Sequence, residues 1–313
     1  MDEEKKVTYD RFEISKIIGQ PVDPRKPYPD LVNMICERDT AEPEEYVYYF
    51  DVYKDTDTVY TITSTGSVTS SAVTPDTPAA FTFIDVASPE YYVKIVDLAK
   101  SKERVLARKK ATINRALNGK EVEYILTLIE VGTPSANRFR LNSSSGATTF
   151  NVDHLTQMCD VVKDYGDSYV LLVSSTIEKD IILWNWNDNK NIDIFRTFEK
   201  LGVKIQRIPN QWVVIDSSTT NLIGSTRAYL VATSTNSSVG GRCLLFVRKR
   251  LNDIKLLGGV ISESGEKPER LVFTSPNPMN VGGTRYLGVG LTGYEELVAA
   301  VTNSYGLANF TRA

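Results

Sequence analysis

Between residues 90 and 131 the chain repeats apolar side chains at helical spacing: Val93, Val96, Val105, Leu106, Ile113, Ala116, Leu117, Val122, Ile125, Leu126 and Ile129. Ser88 and Pro89 stand at the start, a hydroxyl suited to the N-cap before an imino acid suited to the first helical position. Asn118-Gly119 marks a place for the helix to end or kink. A helix of this length needs partners for its apolar side. The same stretch carries Lys100, Lys102, Arg104, Arg108, Lys109, Lys110 and Arg115. Two readings of these cations stand: a solvated face, or a surface that contacts nucleic acid or an acidic partner. No aromatic residue lies within 98–118, so base stacking is not supported.

What precedes the helix is equally short of its own core. Pro21, Pro24, Pro27, Pro29 and Pro43 interrupt residues 1–45, where only Tyr28–Arg38 reads as a helix, with Leu31, Val32, Met34 and Ile35 on one face. Tyr46–Tyr53, Val59–Thr63 and Phe81–Val86 are rich in strand formers, and residues 64–78 between them are rich in Ser and Thr. This reads as a long hairpin with a polar tip. An isolated hairpin is marginal in water, so this one is expected to lie against a neighbour.

A polar loop over 132–150 leads into a more compact α/β section. Helices are predicted over Asp153–Asp164, from a Ser174-Ser175-Thr176 cap to about Asn185, and over Phe195–Leu201. Strands are predicted over Tyr169–Val173, Val203–Ile208, Trp212–Asp216, Tyr229–Ala232 and Cys243–Arg248. Further strands are expected over Arg270–Thr274, Thr284–Thr292 and Glu295–Thr302, with helix as the alternative for 294–301. Asn303–Gly306 is a turn before the last apolar run, Leu307–Phe310.

Several classes of chemistry lack their residues. His154 is the only histidine, beside Asp153 at the start of a predicted helix, so multi-histidine zinc sites are excluded and histidine-centred catalysis is hard to build. Cys36, Cys159 and Cys243 form no CxxC pair and are expected to be buried, reduced thiols. Gly288–Gly293 spells GxGxxG, but too little chain follows for the helix, second strand and acidic residue of a dinucleotide site. Its bland reading is a strand with close backbone neighbours at the glycines. Trp184 and Trp186 read as core or subunit contacts. Arg248-Lys249-Arg250 follows a strand, either as a solvated strand end or as a salt-bridging cluster at a subunit interface. No catalytic residue, cofactor or metal site is assigned, and no enzyme is expected. The net charge of -3 gives no global basic field for nucleic acid. The charged start Met1–Lys6 is no secretory signal, and apolar runs such as Tyr169–Val173 are too short to span a bilayer, so the chain is expected to be made and used in the cytosol.

The order of these parts resembles the tailed-phage major capsid proteins of the Hong Kong 97-like fold. Phe81–Ser88 leading into Ala99–Leu117 looks like the base of that family's extended hairpin, the E-loop, entering its spine helix. Val203–Pro209 before Trp212–Ile215, and Tyr229–Ala232 with Leu244–Arg250, look like its axial (A) domain. Arg285–Gly290 through Asn303–Ala308 looks like the closing strands of its peripheral (P) domain. The likeness rests on order and size.

The resemblance implies an α+β fold with an N-terminal arm (1–45), E-loop hairpin (46–89), P domain with the spine helix (90–149), compact A domain (150–249) and a return to the P domain (250–313). It also implies hexamers and pentamers of an icosahedral head around double-stranded DNA, assembled in the host cytoplasm, with no membrane. The implied partners are a separate scaffolding protein, a portal, a decoration protein and weakly held DNA. The natural Met1 start, with no charged helical prefix, favours separate scaffolding. Arg104, Arg108, Lys109, Lys110, Arg115, Arg248, Lys249 and Arg250 are the candidate assembly or interior contacts. Some family members cross-link Lys to Asn, but no pair can be matched and that chemistry is not carried over. An encapsulin-type compartment, a soluble α/β enzyme and a tail or neck protein remain as alternatives.

Overall fold

A 38-residue helix and a 14-residue strand set the frame of the molecule. The computed structural model describes residues 30–50, 79–140, 149–184, 194–208, 212–215, 218–233, 242–251, 260–262, 268–275, 279–281, 284–286 and 288–312. The first elements in chain order are α1 (Leu31–Ile35), β1 (Cys36–Ala41), β2 (Val47–Phe50), β3 (Ala79–Thr82), β4 (Ile84–Ala87), β5 (Tyr91–Lys94) and the long helix α2 (Ile95–Gly132). There follow β6 (Arg138–Arg140), α3 (Val152–Val162), β7 (Tyr169–Val173), α4 (Ser175–Ile182), α5 (Ile194–Leu201), β8 (Val203–Arg207), β9 (Trp212–Ile215), β10 (Ser218–Asn221) and β11 (Arg227–Ala232). The last are β12 (Leu244–Lys249), β13 (Val260–Ser262), β14 (Leu271–Ser275), β15 (Met279–Val281), β16 (Thr284–Tyr286), β17 (Gly288–Val301) and β18 (Leu307–Thr311). No helix among the described residues is long and apolar enough to cross a membrane.

β17 is long enough to serve four partners. Its residues pair with β5, β14, β4 and β12 in turn, β1 adds to β12 in parallel and β13 to β14 antiparallel, so that seven strands form one sheet. Alternate residues of β17 point to opposite faces. On one face a Cβ at Gly293 would overlap Ile113, Tyr124 lies against the backbone of Ala299, and a Cβ at Gly132 would meet Val301 at 2.6 Å. From Gly293 to Val301 the strand advances roughly 27 Å, and from Ile113 to Gly132 the helix advances about 28 Å. Helix and strand therefore run side by side in the same direction. The opposite face buries Val298 with Ala41, Leu245 and Val247, and half-buried Tyr48, Phe81 and Phe83 from the hairpin base cover it.

A five-stranded sheet, β6-β18-β11-β7-β8, organises the other half. All five residues of β7 are buried, as a central strand covered on both faces requires. Trp184 fills the space beside it, stacking on Phe198 at 5.5 Å and donating its indole N–H to the Phe150 carbonyl at 2.8 Å. Asn151 caps α3 reciprocally with His154: the His154 N–H donates to Asn151 Oδ1 at 3.0 Å, and the Asn151 N–H donates to His154 Nδ1 at 3.2 Å.

Several local expectations are corrected. The helix over Tyr28–Arg38 is reduced to α1, because Cys36 onward pairs with β12 and Asp30 caps the remaining turn. Leu31, Val32, Ile35 and Cys36 are buried, so the described end of the expected arm is built into the main core. Ser88 and Pro89 do not open α2. Two tyrosines and a valine form β5 against β17 first, and Ser88 Oγ instead accepts the Gly293 N–H at 2.9 Å. Asn118-Gly119 does not interrupt α2: a single glycine costs about 1 kcal/mol, and the buried row through Leu117, Val122 and Ile125 offsets it. The loop over 132–150 contains strand β6; over 294–301 the expected strand forms and the helical alternative does not. Sheet membership crosses the expected boundary at 249/250, since β12 joins the seven-stranded sheet and β18 the five-stranded one. The hairpin base is β2 paired with β3, whereas Val59–Thr63, the tip at 64–78 and Trp186 lie outside the described residues.

Candidate assembly surface

The basic residues predicted from sequence fall into two groups. At 100° per residue, Arg104, Arg108 and Arg115 share one face of α2, opposite the buried Ile113 and Leu117. Arg104 is exposed and Arg108 and Arg115 are half-buried. Lys109 lies on the flank, its Nζ 5.9 Å from the centre of the Tyr91 ring, and Lys110 is half-buried. No acidic residue occurs between Arg104 and Lys120, so the field over this part of the helix is positive. Arg104 and Arg108 form no ion pair among the described residues.

Arg248, Lys249 and Arg250 are split by the two-residue period of β12. Arg248 points to the α2 side, where its guanidinium holds Glu121 Oε1 at 2.6 and 2.9 Å and Glu269 at 3.3 Å. Lys249 points to the other face, bonded to Glu296 at 2.9 Å and lying over the rings of Tyr46 and Phe83 at 5.1 and 5.5 Å. Arg250 leaves the sheet and pairs with Glu42 at 2.7 Å in solvent. The cluster does form salt bridges, but to partners within this chain. Only Arg250 fits a solvated strand end.

Around Arg248 the ion pairs form a continuous chain from the surface to the core. Arg38 on β1 binds Glu269 at 2.6 Å; Arg248 joins Glu269 to Glu121; Arg270 joins Glu121 at 3.0 Å to Glu295 at 2.6 Å. Arg270 also donates to the Asn118 side chain at 2.8 Å. Side-chain exposure falls from 41% at Arg38 to 5% at Glu121 and 0% at Glu295. Burial, with the like charge of Glu121, raises the Glu295 carboxyl to about 7, although Arg270 and Arg248 pull the other way. Glu121, Glu269, Arg270 and Glu295 were not singled out in the sequence. No local pattern marks them: Glu121 stands between Lys120 and Val122 with Glu123 next, and Glu295 beside Glu296. A cavity of about 50 Å³ adjoins the chain between α1 and α2, with Asp30, Asn118, Glu121 and Arg248 as its polar lining. It has room for a few waters and is far below the size of a substrate pocket.

The other motifs take structural positions. Gly288–Gly293 lies within β17, where an added Cβ at Gly288 would overlap the Val93 carbonyl. The three cysteines are free and buried. Among the described residues no group of His, Cys, Asp and Glu could hold a metal ion.

No protein-family model matches the sequence, and no curated protein matches it. Solved structures do. A structure from Mycobacterium phage Adephagia covers 97% of this chain and 97% of that chain, with TM-score 0.56 and 12% identity. The capsid structure of cyanophage P-SCSP1u covers 94% of this chain and 91% of that chain, with TM-score 0.55 and 9% identity. The holo-SrpI encapsulin complex from Synechococcus elongatus covers 98% and 96%, with TM-score 0.49 and 13% identity. The first two likenesses run the length of the chain, and at such identities what they establish is the fold: α+β, of the Hong Kong 97-like capsid type.

Proposed function

We propose that this chain is the major capsid protein of a tailed bacteriophage, a structural, non-enzymatic subunit that assembles into hexamers and pentamers of an icosahedral head enclosing double-stranded DNA. The observation that carries the reading is the full-length match of fold to a phage capsid structure. Two further features support it. Tyr48, Phe81 and Phe83, which cover the sheet face at β2 and β3, are themselves only half-buried, and the exposed Tyr46 and Tyr49 beside them leave apolar surface for a neighbour. Many weak contacts of this kind, repeated around a closed shell, add up through multivalency. The partners are then other copies of the chain, a separate scaffolding protein, a portal, a decoration protein and the packaged DNA, and the setting is the virion, assembled in the host cytoplasm. In this reading Arg104, Arg108 and Arg115, with Lys109 and Lys110 beside them, contact DNA or an acidic assembly partner.

Negative-stain electron microscopy of the purified protein, alone and with candidate scaffolding protein, tests the reading. Closed shells or ring-shaped capsomers are expected. A homogeneous monomer under both conditions would overturn it, tubes would indicate a tail protein, and shells filled with an enzyme in place of DNA would indicate an encapsulin. Neutralising Arg108, Lys109 and Lys110 is expected to impair assembly or packaging while the chain still folds. Equal loss of folded, soluble protein in all such variants would remove the stripe from the proposal.

A further inference from the structure

The buried end of the ionic chain has an unbalanced atom. Glu295 sits on β17 with its side chain fully covered, and its Oε2 accepts from Arg270 Nε at 2.6 Å. Oε1 is buried and has no hydrogen-bond partner among the described residues. An ionised carboxylate in that position lacks a donor for half of its charge, which is costly in a dry site.

Every element packed against Glu295 contributes to its environment. From α2 come Glu121, a like charge, and Asn118, which holds Arg270 in place. Arg270 comes from the segment leading into β14 and Arg248 from β12, with Glu269 and Arg38 one step further out. From β4 the residue in register is the apolar Val86. With Glu295 ionised, the arginines Arg38, Arg248 and Arg270 face the carboxylates Glu121, Glu269 and Glu295, charge-balanced but with an orphaned oxygen at the core. With Glu295 neutral, the buried charge that lacked a donor is gone, and Arg270 is still held by Glu121 and Asn118. The cavity lined by Glu121 and Arg248 adjoins the same cluster.

We propose that this cluster is a proton-operated latch between α2 and β17, in which the Glu295 carboxyl takes up one proton to tighten the helix–strand junction and loosens it on releasing that proton. The proposal does not depend on the shell reading, since it concerns the packing of two elements of one chain. The carboxyl is raised from an ordinary 4.5 to about 7. Between those values the folded chain binds more protons at this site than the unfolded chain. The stabilisation is therefore fully present below about pH 4.5 and is lost as pH rises through about 7. The shift corresponds to about two to three orders of magnitude in the folding equilibrium constant.

The test is urea denaturation of the full-length, unassembled chain from pH 5 to pH 8.5, comparing wild type with Glu295→Gln and Glu296→Gln. Glu296 is the next residue, on the opposite face, paired with Lys249. Wild type and Glu296→Gln are expected to lose stability from pH 5 to about pH 7 relative to Glu295→Gln, which mimics the protonated state, and to run parallel to it above that. Backbone amides of residues 117–122 and 293–297 should gain exchange in wild type and Glu296→Gln, but not in Glu295→Gln, over the same window, beyond the intrinsic rise with pH. Parallel pH profiles for wild type and Glu295→Gln would overturn the latch. If Glu295→Gln does not fold, the carboxyl resonance of Glu295 in carbon-13-labelled wild type decides: titration near pH 7 supports the latch, and titration in the ordinary glutamate range refutes it.

Discussion

Glu121→Gln removes one charge from the middle of the ionic chain and leaves the side chain's shape almost unchanged. Glu121 is 5% exposed and its Oε1 receives Arg248 at 2.6 Å and Arg270 at 3.0 Å. The amide keeps an acceptor, but its N–H₂ group faces guanidinium donors. Arg248, 14% exposed, is left with Glu269 as its counter-charge, at the longer distance of 3.3 Å. Removing one partner of a buried pair costs about 3–5 kcal/mol. Part of that is recovered at neutral pH. Without the like charge of Glu121, Glu295 ionises more readily and gives Arg270 a full counter-charge, worth on the order of 1 kcal/mol. The expected net loss is about 2–4 kcal/mol, a large share of an ordinary folding free energy. Urea unfolding at pH 7, followed by the fluorescence of the buried Trp184, measures it against Glu42→Gln. Glu42 makes the same kind of bond to Arg250 at 2.7 Å, but with both side chains nearly half exposed, and its loss is expected to cost under about 1 kcal/mol. Equal losses for the two variants would refute the argument that burial sets the weight of these pairs.

Other outcomes follow from the packing. Gly293→Ala places a methyl group against Ile113 and 3.2 Å from Leu117 Cδ1, so a loss of about 1–3 kcal/mol is expected in the same urea assay, and a stabilised variant would show that helix and strand can separate freely there. Arg138 donates to the carbonyls of Thr133, Glu130 and Val131 at the end of α2; Arg138→Ala should lower stability by about 1–3 kcal/mol and increase amide exchange at that end of the helix. Burial pushes the Cys159 thiol up to about 11 and Cys243 up to about 12, with Cys36 also raised, so a thiol reagent at pH 8 should label none of them until the chain unfolds. Prompt labelling of any one would contradict the packing described.

The fold was legible wherever local pattern and tertiary context agree. Tyr169–Val173 reads as a buried strand and is one, and the apolar row from Val105 to Ile129 reads as a helix and forms the middle of α2. Pattern misled where a partner strand outcompeted it. Ser88-Pro89 has the letters of a helix start, yet Tyr91–Lys94 pairs with Gly288–Leu291, nearly two hundred residues later, and the helix waits until Ile95. Gly288–Gly293 has the letters of a phosphate loop, yet its glycines are where β17 passes close to β5 and α2. The basic tripeptide at 248–250 was visible in the sequence, but its division among two sheet faces and solvent was not, since each direction depends on where β12 lies in the sheet.

The sequence by itself determined the periods: a helix of 3.6-residue repeat along the middle of the chain, strands rich in tyrosine and valine around it, and segments with too little apolar surface to stand alone. Those are local properties, set by side-chain shape and hydrophobicity within a few residues. Only the tertiary structure decided that Arg38, Asn118, Glu121, Arg248, Glu269, Arg270 and Glu295 meet. No spacing in the chain encodes that meeting. It arises because α2 and β17 run side by side and bring their polar exceptions to the same level. A buried charge is tolerated only where other elements deliver its partners, so its position follows from the assembled fold.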